Sequence, residues 1–407
     1  MMKHLVGGIS SAGRALPEFN GQPLMIARAQ GAYLWDVQGN AWLDTALGFG
    51  ATLLGHNPAA VVDAVSQTLG KMMMPAFSHT LEEEAARTLT QFTGELQKVI
   101  FVNSGSEAVH LACRAARACT GKRKIVKFAA GYDGWFEPVA FGNAGSLDAQ
   151  MNGQRPERDG TLLLKYNDIA DVDALFAQQQ DIAAVVIEPV MANAGCIEPA
   201  EGYLAYLVEQ AHRYGAKVIL DEVLMGFRLH CGLTGHLFGI DADYATVGKA
   251  IGNGSVVAAL IGKPEAMAVF EQGKASHAGT YNGNPPVCAA VISTLTALQS
   301  ADYTALLERG DRLRAQVCQQ VTGPLSSSGY GTVFTFWPHA SAPHGYDDAL
   351  AKVDRLWTRQ LHFQLRTRQV LMMPPAFGRF YLSFSHDEGT VDRLATACIE
   401  SINAGQA

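Results

Sequence analysis

The chain has 407 residues, 48% of them apolar and 17% charged, which supplies a large interior and excludes a long disordered protein. Its formal charge of -7 is spread without any run of about five like charges, so neither nucleic acid nor an anionic membrane surface is expected as a partner. Seven cysteines without a CxxC pair, no apolar run near the roughly 20 residues of a bilayer span, and no secretion-signal core point to a reduced, cytoplasmic protein.

Residues 1–50 read as an arm ending in a hairpin, with 31–37 and 41–44 flanking the turn-forming triplet Gln38-Gly39-Asn40. The arm carries Arg14 within GGISSAGRALP, a setting in which an arginine is ordinarily solvated. Val61, Val62, Ala64, Val65 and Leu69 recur at helical spacing and predict a helix over 57–71, with another over 82–92. Residues 98–102 read as a buried strand that runs straight into Asn103-Ser104-Gly105-Ser106-Glu107 and a helix rich in Ala and Arg. A strand, a Ser/Gly turn and a helix start make an anion site, because the first N–H groups lack partners and the helix dipole favours negative charge. Ser106 would equally serve as an ordinary N-cap.

The pattern repeats with a strand over 124–128 leading to Tyr132, just past a strand's carboxyl end, where open parallel sheets place their ligands. A tyrosine there either stacks on a planar ring or fills the loop. Residues 141–167 are polar and aperiodic and predict a long surface loop of the kind that serves as a lid. A helix over 170–179 leads to a strand from 182 that ends at Glu188, then a turn holding Asn193. A helix over 203–214 returns the chain to a strand over 217–222 that carries Asp221 near its end. Past Lys249 come a strand over 256–261, a polar turn at 278–285 and a helix over 286–298. From about residue 300, helices over 303–322, 347–367 and 389–403 alternate with short strands over 332–337 and 379–384.

Alternation of strand and helix from 98 to 260 predicts an α/β fold with a mostly parallel sheet flanked by helices on both faces, followed by a smaller α+β unit. The expected division is 1–50 as the arm and hairpin, counted with the smaller domain, 51–299 as the large domain, and 300–407 as the carboxyl-terminal small domain. Glu188, Asp221 and the Asn103–Ser106 turn all fall at strand ends, where ligand chemistry gathers.

Several rival chemistries lack their residues. There is no GxGxxG, no GxxxxGK[ST] and no GxSxG, the patterns of dinucleotide, P-loop and serine-hydrolase sites. His230, Cys231 and His236 match no zinc spacing, so no metal is expected. A lysine, an acid and a phosphate cradle together are the needs of pyridoxal 5'-phosphate. The lysine forms a Schiff base with the aldehyde and must lose its proton readily. A carboxylate facing the pyridine nitrogen keeps the ring an electron sink, and the phosphate takes the free N–H groups of a helix start. Lys249, 28 positions after Asp221, supplies the lysine.

In its motifs FVNSGSEA, IEPV, VILDEVLMGFR, TVGKAIGNG and AGTYNGNP the chain resembles the class III (subgroup II) pyridoxal-phosphate aminotransferases of fold type I, nearest to their glutamate-1-semialdehyde 2,1-aminomutase branch. The likeness runs from about residue 7 to the carboxyl terminus and weakens after residue 300. It implies that Lys249 is the Schiff-base lysine and the base that moves the proton, that Asp221 pairs with the pyridine nitrogen, and that Val223 and Tyr132 cover the two ring faces. It further implies phosphate binding by Gly105 and Ser106, joined by Thr280 from the partner subunit of a homodimer. Asn193 is then placed for the phenolic oxygen, Glu188 for supporting that side, and Arg14 for a substrate carboxylate.

The chain departs from the family pattern at Asp133, where a histidine is usual, at Asn253, where the aminomutase has glycine, and at Asn282, where it has serine. No arginine near the carboxyl terminus matches the one that many class III enzymes use for an α-carboxylate; Arg379 lies in the corresponding stretch, GRFYLSFSHDE. The expected activity is transfer of an amino group between an amine or amino-acid donor and a carbonyl acceptor through a pyridoxamine form of the cofactor. An aminomutase, and more remotely a binding module without turnover, are the alternatives.

Overall fold

A computed structural model of the chain describes residues 4–16, 18, 23–144, 155–373 and 377–405. Eight strands form its main sheet, in the order Lys98–Val102, Ala258–Gly262, Tyr244–Val247, Lys217–Glu222, Ile182–Ile187, Lys124–Phe128, Thr161–Leu164 and Glu157–Arg158. The run from Tyr244–Val247 to Thr161–Leu164 is parallel throughout, while Ala258–Gly262 is antiparallel to both of its neighbours. Two antiparallel steps restore direction, so Lys98–Val102 points the same way as the parallel strands. The turn at Asn103–Ser106, the loop at Tyr132, Glu188 and Asp221 are therefore brought to one edge.

The strands are buried on both faces, as parallel strands usually are. All six residues of Ile182–Ile187 are buried, and alternate side chains enter different cores. Val185, Ile187, Val218 and Leu220 belong to the larger apolar cluster, whereas Ala184, Val186 and Ile219 belong to a second one beneath the helix Gly105–Thr120. That helix turns Ala108, Ala112, Ala115 and Ala116 inward, and such small side chains let its axis lie close to the sheet. Helices Ile169–Gln178 and Tyr203–Arg213 pack together on the other face.

The hairpin of the arm forms as its turn triplet predicts. Asp36 accepts from the Gln38 and Asn40 amides, the Asn40 side chain and the Trp42 indole at 2.8–3.0 Å, and Gly39 supplies the positive φ. Ile26–Gln30, Tyr33–Asp36 and Ala41–Asp44 form a sheet completed by Val370–Leu371, parallel to Ala41–Asp44. Ser326–Tyr330, Val333–Trp337 and Arg379–Tyr381 make a separate antiparallel sheet.

Three expectations change. Part of the stretch expected to be one long loop is strand: Thr161–Leu164 pairs with Lys124–Phe128, and all four of its residues are buried. Residues 145–154 of that loop lie outside the described residues. The helix expected over 347–367 is two, Tyr346–Lys352 and Arg355–Thr367, because the Asp354 side chain caps the second at the Trp357 amide. Tyr244–Val247 and Ser326–Tyr330 are strands that periodicity did not reveal. Leu163 is fully buried in the Thr161–Leu164 strand. Leu163→Ala should therefore cost about 2–5 kcal/mol in denaturant unfolding, whereas a surface loop position would cost almost nothing.

Candidate active site

The helix Gly105–Thr120 opens with a reciprocal cap. The Ser104 hydroxyl accepts from the Glu107 amide at 3.3 Å, and the Glu107 carboxylate folds back to accept from the amide of Asn103, the residue before the cap, at 2.9 Å, a variant of the capping box. Ser104, not Ser106, is thus the N-cap. The Gly105 and Ser106 amides are left over at the positive end of the helix dipole, and the Ser106 hydroxyl accepts from the Trp135 amide at 3.3 Å. Backbone closeness fixes two glycines there. A Cβ on Gly105 would sit 2.7 Å from Val223 Cγ1, and one on Gly134, whose φ is +123°, would sit 2.7 Å from Ser106 Oγ.

Asp221 ends its strand at 4% exposure. Its Oδ1 accepts from the Val223 amide at 3.0 Å and from Thr246 Oγ1 at 3.2 Å. Burial, helped by the charge of Asp133, pushes its carboxyl up to about 7. Lys249 follows Gly248 at the start of a short 3-10 turn, with a left-handed φ of 42° that is costly for a residue with a Cβ. Burial brings its amine down to about 8, although Asp221 pulls the other way. Glu188 is buried and accepts from the Tyr132 amide at 2.7 Å. Desolvation, then Asp133 and Asp221, push its carboxyl well above the usual range. Asn193 lies on a single 3-10 turn, Ala192–Ala194, and its Oδ1 accepts from Arg379 Nη1 at 2.6 Å.

Gly105, Ser106, Tyr132, Glu188, Asn193, Asp221, Val223 and Lys249 line one cavity of about 360 Å³. Arg14 and Thr280 do not: Arg14 is exposed on the turn Ala12–Arg14, and Thr280 is exposed beside the turn at 281–284. Sequence reasoning passed over Thr246, which steadies Asp221, and gave Arg379 no role. An arginine inside the apolar run FGRFYLSF was the available signal for the latter. A larger cleft of about 1000 Å³, lined by Lys165, Asn167, Glu198, His344 and Asp347 among others, has no comparable chemistry. Its charges are already engaged, Lys165 with Asp347 and Asp348 with Lys352.

The site's geometry agrees with what the chain is similar to. The profile of the family described as aminotransferase class-III matches residues 17–328. The chain belongs to the class-III aminotransferase family. Glutamate-1-semialdehyde 2,1-aminomutase of Chloroflexus aggregans is 34% identical to this class-III chain, over 97% of it and 94% of the relative. An omega-transaminase from Sphaerobacter thermophilus superposes with a TM-score of 0.90 at 29% identity, covering 99% of the class-III chain and 95% of its own. A beta-phenylalanine aminotransferase from Variovorax paradoxus does so with a TM-score of 0.88 at 30% identity, covering 100% and 92%.

The pKa of Lys249 is open to a direct check. In competitive amine labelling of the class-III chain with acetic anhydride, read by peptide mapping without added cofactor, modification of Lys249 should reach half its plateau near pH 8. Only the free amine reacts, so labelling rises with pH, and solvent-facing lysines should follow about 2 units higher.

Proposed function

We propose that this chain is a pyridoxal 5'-phosphate-dependent aminotransferase whose site is built on Lys249 and Asp221. The observation that carries this reading is their placement: a half-buried lysine whose amine has lowered proton affinity and a buried carboxylate share a cavity with the Gly105–Ser106 helix start. The residues fit the cofactor. The amides of Gly105 and Ser106 suit the phosphate, and the glycine close approaches leave that cradle free of side chains. Asp221, raised to about 7 by burial even with Lys249 nearby, suits a pyridinium nitrogen, whose positive charge would favour the ionised form.

Bound there, pyridoxal phosphate supplies an aldehyde that bonds to amines and a ring that takes up the electron pair left when a C–H bond beside nitrogen breaks. The chain's own residues do the rest. Lys249 moves the proton, as its lowered pKa allows near neutral pH. Tyr132 and Val223 would cover the two ring faces, and Asn193 and Glu188 would support the phenolic oxygen. Arg14 receives a carboxylate of the substrate, a small amine or amino acid. Thr280 completes the site of a second copy in a homodimer. Exposed apolar residues beside the cavity and beside Thr280, Trp135, Val256 and Tyr281 among them, support such a partner. The division into a large domain at 51–299 and a smaller one from 1–50 with 300–407 is supported by the pairing of Val370–Leu371 with Ala41–Asp44. Seven unpaired cysteines support a cytoplasmic location.

A second reading, an aminomutase that performs both halves on one substrate, is favoured by the 34% identity to the Chloroflexus enzyme. Half-reactions separate the two. A transferase given only a donor should release a keto product and leave the cofactor as its amine form, whereas a mutase should yield only the isomer. Lys249→Ala should abolish turnover and the absorbance band of covalently held cofactor; retention of both would sink the whole reading. Arg14→Ala should weaken carboxylate-bearing donors about tenfold or more and spare amines without a carboxylate. Equal loss for both kinds would remove that role.

A further inference from the structure

Lys127 is a charged residue in the middle of the buried Lys124–Phe128 strand, with no exposed surface. Its Nζ meets the Gly131 carbonyl at 2.9 Å, the Val139 carbonyl at 2.7 Å, Asn143 Oδ1 at 2.9 Å and Asp133 Oδ2 at 3.0 Å. Asp133 is itself buried, so each charge is desolvated and depends on the other. All four partners lie on the stretch 131–143, and Asn143 Nδ2 also reaches the Gly134 carbonyl at 3.4 Å. One ammonium therefore gathers both ends of the loop that carries Tyr132.

The same loop meets the candidate site at three points. The Tyr132 amide is held on Glu188, the Trp135 amide is held on Ser106, and Gly134 packs against Ser106. We propose that Lys127 and Asp133 are positioning residues: a buried ion pair that clamps the 131–134 turn and so fixes the Tyr132 ring against the cofactor and one side of the Ser106 cradle. Lys127 lies behind the cavity wall, and Asp133 forms part of that wall next to Tyr132. The proposal rests on the reading of the cavity as a pyridoxal-phosphate site.

The partners predict an asymmetry. Asp133→Asn keeps the side chain's volume and leaves Lys127 its three oxygen acceptors. Lys127→Met keeps the stem but strands the Asp133 carboxylate and three acceptors without a donor. The test uses full-length protein freed of cofactor and titrated with pyridoxal phosphate, read by tryptophan fluorescence and by the circular dichroism induced in the cofactor band. Tyr132→Ala serves as the reference for a missing ring wall.

Lys127→Met should weaken cofactor binding about tenfold or more and shift the induced band toward that of Tyr132→Ala. Asp133→Asn should do both to a smaller extent, and the double variant should be no worse than Lys127→Met, because the two act as one unit. If Lys127→Met does not fold, Asp133→Asn decides by the same two readouts. Folded variants with wild-type affinity and an unaltered induced band would overturn the proposal, leaving the pair a matter of stability alone. Failure of the wild-type chain to bind the cofactor would overturn the functional reading and this proposal together, which the wild-type titration distinguishes.

Discussion

Removing the Asp221 carboxylate from water at the end of a strand enclosed on both faces is the constraint from which the rest of the site follows. A charge there is unfavourable unless something positive faces it. Among the described residues the carboxylate meets a Val223 amide, a Thr246 hydroxyl and a lysine whose own charge is weakened by burial. Within the folded chain the acid and the amine are thus each only partly satisfied. On the proposed reading, a pyridinium ring between Tyr132 and Val223 would relieve the carboxylate without demanding that Lys249 stay protonated.

Much of this was legible because apolar runs of five or six residues, such as Lys98–Val102 and Lys217–Glu222, lie between unmistakable helices. Parallel pairing then forces their ends to one edge. Thr161–Leu164 and Tyr244–Val247 escaped because four residues are too few to show a period, and a polar neighbourhood hid the first. At the phosphate end the chemistry was legible but one detail was not: Ser104 and Ser106 are equally good caps on paper, and only the Glu107 carboxylate folding back decides for Ser104. Arg379 was passed over because its partner, Asn193, lies 186 positions away, a pairing that no local pattern contains.

The three departures from the family pattern each have a physical answer within the chain. Asp133 forms a buried ion pair with Lys127 at 3.0 Å. Asn253 adopts the left-handed conformation that glycine would take and uses its side chain to grip the Leu54 amide and the Gly55 carbonyl, at 2.8 and 2.9 Å. Asn282 accepts from the Asn103 side chain at 2.9 Å, tying the turn beside Thr280 to the end of the Lys98–Val102 strand. Replacement residues that come with their own partners mark a site rebuilt rather than eroded, consistent with the intact pair of Lys249 and Asp221.

The segment that holds Asn193 leaves the main sheet but is fastened elsewhere. Arg379 grips Asn193, the Ser328 hydroxyl donates to the Gly195 carbonyl at 2.6 Å, and the Gly329 amide donates to Glu198 at 2.9 Å. All three donors belong to the separate antiparallel sheet. Asn193 is therefore held from the three-stranded sheet, whereas Asp221 lies on the main sheet and Lys249 just past its Tyr244–Val247 strand. The wall of the cavity at Asn193 and the acid–lysine pair thus draw their hydrogen bonds from different sheets.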